Sequence, residues 1–431
     1  LGLRLQDDAM SVEMSVETTE LSNGLRVATH RMPHLETASL GVWVNTGARA
    51  ELPDEHGVAH MLEHMAFKGT PRRAALAIAE EIEAVGGSIN ASTSFESTDY
   101  TARVLKDDAA LALDIISDIV QNPLFAETEL KREKDVVLQE IASVQDSPED
   151  LVFELLQEIA FPAQPLGRPV LGAASSVRRF RPADLSSFRN ATYAAPRMVL
   201  AAAGAVDHAV LVKAAESCFS TLGTAPGRAM EQARYEGGSG GLTRSFEQCH
   251  LVAAFEAPDH RSPDFYSAHI CSVLLGGGMS SRLFQEARER RALCYDIQAF
   301  YWSFSDTGLF GVHAATGPDQ IEELGGVVRD ELARLAADGP SAEEVKRSKA
   351  QTKSALLMSL ESSEARAAQL ARDILVFGRP LTAEELIERV EEVTPQSVRA
   401  LAGSLLAGRP SLASVGPSGV EDRWRKAVAD I

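Results

Sequence analysis

The sequence predicts an α+β protein of two homologous halves, each a sheet with helices packed on one face. Three observations predict it. Strand-like and helix-like stretches alternate through residues 18–219, and the same order begins again after residue 246. Short matches link the two runs in shared order: ELKREK (129–134) with EVKRSK (344–349) at an offset of 215, FEST (95–98) with FSDT (304–307) at 209, and INA (89–91) with IQA (297–299) at 208. The chain has 431 residues, so these offsets approximate half its length.

Each element has a local reason. Residues 18–30 read as a hairpin about Asn23-Gly24, a dipeptide that supplies the positive φ of a tight turn. Residues 36–48 alternate as a strand, and helical stretches follow at 55–67 and 73–85, the second stopped by Gly86-Gly87. Two strands are expected at 88–95 and 97–105. Amphipathic helices are expected at about 107–121, 126–145 and 148–160. A second βα passage spans 182–219, with the strand MVLAAAGAV inside it. GGSGG (237–241) reads as a linker. Beyond it come the strand CHLVAAFEA, helices at about 263–275 and 280–291, strands at 294–303 and 307–315, and long helices from 317 to 372. The division is an N-terminal extension (1–17), a first half (18–230), a Gly-rich linker (231–245) and a second half (246–431).

Composition narrows the function. Hydrophobic residues make up 45% and charged residues 24%, the balance of a globular protein. The net charge of −19 argues against nucleic acid, whose phosphates call for concentrated Lys and Arg, and favours basic ligands where acids line a site. Cys218, Cys249, Cys271 and Cys294 form no CxxC pair and read as reduced thiols. No apolar run approaches the roughly 20 residues that span a bilayer, so no membrane partner is expected. The start LGLRLQDDAM is too polar and acidic for a signal peptide, and Met10 or Met14 fits an initiator. A bacterial cytoplasmic location is expected, or the mitochondrial matrix in a eukaryote.

The chemistry centres on His60-Met61-Leu62-Glu63-His64. On a helix, His60 and His64 lie about 40° apart and one turn above the other, so both imidazoles reach one ion. Glu63 sits near the same face, placed to act as general base on a metal-bound water. This is the H-x-x-E-H pattern. Two neutral imidazoles and a carboxylate that leave an open position suit zinc. The same pentapeptide also fits a solvated helix face, so a third ligand decides. Glu133 and Glu140 are seven residues apart on the helix expected at 126–145 and point within about 20° of each other. One can ligate while the other orients a ligand. Glu140 lies in VVLQEI, among apolar residues where a bare carboxylate is costly. His56 reads as a loop residue. Gly276–Gly278 lack the Lys-Ser/Thr of a phosphate loop.

HMLEHMAFKGT, GGSINASTSFESTDYTARVLKDD and REKDVVLQEI together resemble the pitrilysin-like metallopeptidases with the inverted zinc motif. Within them the chain is similar to the mitochondrial processing peptidase β subunit and its bacterial relatives. LSSFRNATYAAPRMVLAAAG and LLGGGMSSRLFQEARERRALCYDI extend the likeness to roughly residues 18–415.

The resemblance implies two α/β-sandwich halves arranged as a clamshell, with one Zn2+ per chain held by His60, His64 and Glu140. The last lies 76 residues after His64. It implies Glu63 as general base and Glu133 as the acid that positions a ligand. Asn90, Ala91 and Ser92 would form the edge strand on which peptide substrate lies. Arg288 and Tyr295 would be donors to the substrate carbonyl. In the second half His269 takes the place of His60, but Ser272, Val273 and Ala355 replace the other three, so that half serves as a zinc-free substrate lid. A chain that carries both the zinc motif and the Arg-Tyr pair implies a homodimer. The implied function is zinc-dependent endoproteolysis of unstructured, basic or presequence-like peptides in a closed chamber. The alternative is a scaffold or partner-dependent subunit.

Overall fold

A computed structural model describes residues 15–429. Residues 1–14 of the expected extension, with Met10 and Met14, lie outside the described residues; Val16 and Glu17 open the first strand instead.

The first sheet contains β1 (Val16–Glu20), β2 (Arg26–Arg31), β3 (Thr37–Val44), β4 (Ser88–Thr93), β5 (Thr98–Leu105) and β6 (Met198–Gly204), in the order β1-β2-β6-β3-β5-β4. The second contains β7 (Gly238–Thr243), β8 (Cys249–Ala257), β9 (Asp296–Ser303), β10 (Gly308–Thr316) and β11 (Ser411–Gly416), in the order β7-β11-β8-β10-β9. Removing β1 makes the two orders identical, and β4 and β9, which carry the INA/IQA match, are the corresponding edges. The chain is a duplication at the level of topology.

Helices between β3 and β6 are α1 (Val58–Ala66), α2 (Ala75–Ala84), α3 (Ala109–Gln121), α4 (Glu127–Gln145), α5 (Pro148–Ala160), α6 (Ala174–Arg179) and α7 (Pro182–Thr192), with α8 (His208–Cys218) after β6. The second half has α9 (Phe265–Gly276), α10 (Ile321–Asp338), α11 (Ala342–Ser359), α12 (Ser363–Phe377), α13 (Ala383–Glu392), α14 (Pro395–Leu406) and α15 (Val420–Ala427).

Three expectations need correction. The GGSGG linker is instead β7, hydrogen-bonded in parallel to β11. Its glycines permit close approach: a Cβ at Gly241 would lie 2.7 Å from Glu421 Cβ. The helix expected over 280–291 contains a π-helical segment, Phe284–Glu289. The third concerns the sheet faces. Each sheet has its own half's helices on one face, but the other face is covered by a helix from the opposite half. Helix α5 lies on β7, β8 and β11, and α12 lies on β2, β3 and β6. Under α12, Ala28, Ala201 and Ala203 meet Ala367 and Ala371, small residues that let helix and sheet approach. Under α5, Leu151, Val152 and Leu156 meet Val252, Ala254, Ala413 and Val415. All seven residues of β6 are accordingly buried.

The halves are also joined at the matched turns. Phe95 and Phe304 pack edge to face at 5.8 Å. The buried Arg49 guanidinium donates to Glu96 and Asp306, both at 2.6 Å, and Glu96 accepts from the Ser305 backbone N–H at 2.9 Å.

A titratable pair lies beneath α5. His250 Nδ1 and His313 Nε2 are 3.2 Å apart, and the His313 ring is 5.2 Å from Phe153. Burial, reinforced by His250, pushes His313 down to about 4. Unfolded histidine protonates near 6.5, so the contribution of neutral His313 is complete above that pH and is lost as pH falls toward 4. Between pH 7 and 4.5 this removes about 2–3 kcal/mol. Urea midpoints at the two pH values should therefore differ less in His313→Leu than in the parent; equal differences would exclude His313 as the source.

Candidate metal centre

The metal helix is held from its N-terminus. Its N-cap, Gly57, has φ +92° and packs on Gly172, where a Cβ would lie 2.8 Å from Gly172 Cα. No N-cap side chain serves the helix. The buried Glu51 carboxylate does so, accepting from the Gly57 N–H at 2.9 Å and the Ala59 N–H at 2.8 Å. Burial pushes Glu51 up to about 8, against the two N–H groups that favour its anion. Met61, Leu62 and Met65 enter the core, leaving His60, Glu63 and His64 on the other faces.

Three side chains converge. His60 Nε2 and His64 Nε2 lie 3.7 and 3.6 Å from Glu140 Oε2. One ligand atom from each of the three lies within 4.8 Å of the others. Burial, and then the neighbouring His64, push His60 down to about 4, so its imidazole is neutral at pH 7, the form that can ligate. Glu140 Oε2 is buried without a hydrogen-bond partner. A buried unpaired carboxylate oxygen aimed between two imidazole nitrogens is costly, and a divalent cation removes that cost. Two nitrogens and one oxygen are a donor set suited to zinc, so the residues fit such an ion.

Glu133 on α4 is buried and accepts at Oε2 from His64 Nδ1 at 3.1 Å, while its Oε1 pairs with Lys68 Nζ at 2.8 Å. This fixes Nδ1 as the protonated nitrogen of His64 and leaves Nε2 free to ligate. Lys68 is a residue that sequence reasoning missed; its position four after His64 was the available signal. Glu133→Gln should weaken zinc binding about 10–100-fold, read by competition with a chromophoric chelator. Unchanged affinity would remove Glu133 from the site.

Glu63 is half-buried next to the ligands. Burial raises its pKa, while the Thr93 hydroxyl and His64 oppose the rise. Thr93 ends β4, the edge strand that carries Asn90, Ala91 and Ser92 beside α1. Asn90 and Ser92 are exposed, and Ala91 packs inward. On β5, Asp99 is pushed up to about 6 by burial and by Glu63.

Arg288 and Tyr295 stand together. The Arg288 guanidinium lies 5.2 Å over the Tyr295 ring, and Tyr295 is 75% exposed. Among the described residues neither side chain hydrogen-bonds to the metal group of its own chain. His56 lies outside the site: its Nε2–H donates to the Pro169 carbonyl oxygen at 2.9 Å.

The fold and this centre define a protein of two homologous sheet-plus-helix halves, one of which gathers His60, His64 and Glu140 as a candidate metal site. Comparisons with known proteins agree. Residues 26–174 match the model for insulinase (peptidase family M16), and residues 179–352 match that for the peptidase M16 inactive domain. An uncharacterized zinc protease of Rickettsia bellii is 36% identical over 93% of this chain and 97% of its own length. One of Bacillus subtilis is 35% identical over 92% and 97%. The chain belongs to peptidase family M16. Its fold is similar to that of a Pseudomonas fluorescens peptidase M16 inactive domain, with TM-score 0.87, 24% identity, and coverage of 94% of this chain and 99% of the other. A Helicobacter pylori protease matches with TM-score 0.88, 21% identity, and coverage of 94% and 100%.

Proposed function

We propose that the protein is a zinc-dependent endopeptidase acting on unstructured, basic peptides. The observation that carries this is the convergence of His60, His64 and Glu140, with Glu140 Oε2 buried and unpartnered, next to a carboxylate that is not a ligand. Zinc, when bound there, supplies Lewis acidity for amide hydrolysis at neutral pH.

The chain's own residues do the rest. Edge strand β4 binds substrate backbone in extended form through Asn90, Ala91 and Ser92, so that side-chain identity matters little. Glu63 takes the proton from the attacking water and returns it to the leaving amine. Glu133, braced by Lys68, keeps His64 in its ligating tautomer. Arg288 and Tyr295 donate to the oxyanion. Tyr295 is 75% exposed with the Arg288 guanidinium over its ring, which supports a homodimer in which each second half faces the other chain's zinc. The two chains enclose a chamber that admits flexible peptides. Light scattering of an active preparation that gave only monomer would exclude this dimer.

The test is mass-spectrometric cleavage of a basic, unstructured peptide of about 20 residues, with and without chelator. Chelator-sensitive internal cleavage supports the reading; a zinc-loaded chain that cuts nothing points to a partner-dependent or scaffold subunit.

A further inference from the structure

The duplication assigns a second-half counterpart to the metal centre, and the structure has a cleft there. Helices α9 and α11 repeat α1 and α4. His269 stands where the first half has His60, and Ala355 where it has Glu140. Both line a cleft of about 1490 Å³ that continues over α12 and α13. This volume exceeds the roughly 300–1,000 Å³ typical of small-molecule pockets. With Glu140 replaced by alanine there is no third ligand, so the cleft is not a metal site.

Its lining is amphipathic. Apolar side chains, among them Phe265, Leu356 and Phe377, alternate with guanidinium groups. Arg261, Arg372 and Arg389 stand here in a chain of net charge −19. Arg389 is engaged by Glu385, and Arg261 donates through Nε to the Val376 carbonyl. Arg372 is exposed and has neither ion pair nor side-chain hydrogen bond among the described residues. Acids also line the cleft: Asp373 is buried and accepts from the Leu381 N–H, while Asp264 and Glu392 stand elsewhere on the lining. Beside α11's last turns, the Thr352 hydroxyl is buried without a partner.

We propose that this cleft binds the C-terminal end of a peptide, with its apolar side chains against Phe377 and Leu356 and its carboxylate on Arg372. A guanidinium holds a carboxylate through charge-assisted hydrogen bonds, and apolar neighbours supply the remaining affinity. The assignment rests on the proposed peptidase activity, because each internal cut releases a segment with a new carboxylate. The cleft holds that segment away from His60, His64 and Glu140, as an exosite built on the counterpart of the catalytic position.

The test uses the full-length Glu63→Gln chain in chelator, so that neither cleavage nor zinc contributes. A fluorescein-labelled peptide of about eight residues with three apolar residues at its end is titrated as the free carboxylate and as the carboxamide, read by anisotropy. The carboxylate should bind at least about tenfold more tightly. Arg372→Gln should abolish that preference. Ala355→Trp, at an exposed position that tolerates bulk, should weaken both forms by filling the cleft. Equal binding of the two forms, a preference that survives Arg372→Gln, or affinities unchanged in Ala355→Trp overturns the proposal. Displacement by decanoate at the peptide's own concentration also overturns it, since the site would then take apolar carboxylates in general. Failure of the peptidase reading shows separately, as absence of chelator-sensitive cleavage by the parent.

Discussion

Glu63→Gln should retain one zinc per chain and lose about 10²–10⁴ in kcat/KM. Glu63 projects from the same helix as His60 and His64 but is not one of the three converging ligands. Its replacement removes a base without removing a bond to the ion. The amide is nearly the same size, so the half-buried pocket beside Thr93 stays filled. The expected pattern is thus a chain that is folded, metal-loaded and slow. Metal analysis and cleavage of the basic test peptide are to be read on one preparation. Activity within tenfold of the parent would remove Glu63 from proton transfer.

Glu140→Gln should have the opposite signature: loss of the metal, and of activity with it. Two imidazoles on one helix turn remain, and they are a weak site alone. The substitution also separates the apo from the loaded protein. Without zinc, the parent has a buried carboxylate oxygen with no partner. The neutral amide carries less desolvation cost, so the metal-free variant should be at least as stable as the metal-free parent. With zinc at 1,000 times its dissociation constant, the parent gains about 4 kcal/mol and the variant almost nothing. Thermal melts with and without zinc will show whether the order of stability reverses. A variant that binds zinc as the parent does would exclude Glu140 as third ligand.

The metal centre was legible because helical geometry is short-range. The four-residue spacing of His60 and His64 and the seven-residue spacing of Glu133 and Glu140 fix directions on single helices. What joins the two helices is tertiary, and there the family resemblance pointed to Glu140, which converges with His60 and His64. Lys68 was overlooked because its partner, Glu133, is 65 residues away. GGSGG was misread because glycines carry no pattern; β7 is a strand only by pairing with β11, which lies some 170 residues later. The second cover on each sheet had left a sign: MVLAAAG does not alternate, as a strand with one wet face would. Which helix covers it is not written locally, since α5 and α12 look like any amphipathic helix.

The crossing of α5 and α12 bears on how such a chain arises and how it folds. A lone half would expose one sheet face and leave one helix without a seat. Two identical halves trading that helix would close both faces, which is the geometry of a domain-swapped pair. The 431-residue chain preserves that trade within one polypeptide. A half expressed alone should therefore fail to fold as an autonomous unit. Many of its deepest contacts span more than a hundred residues, so the whole chain should assemble slowly and melt as one.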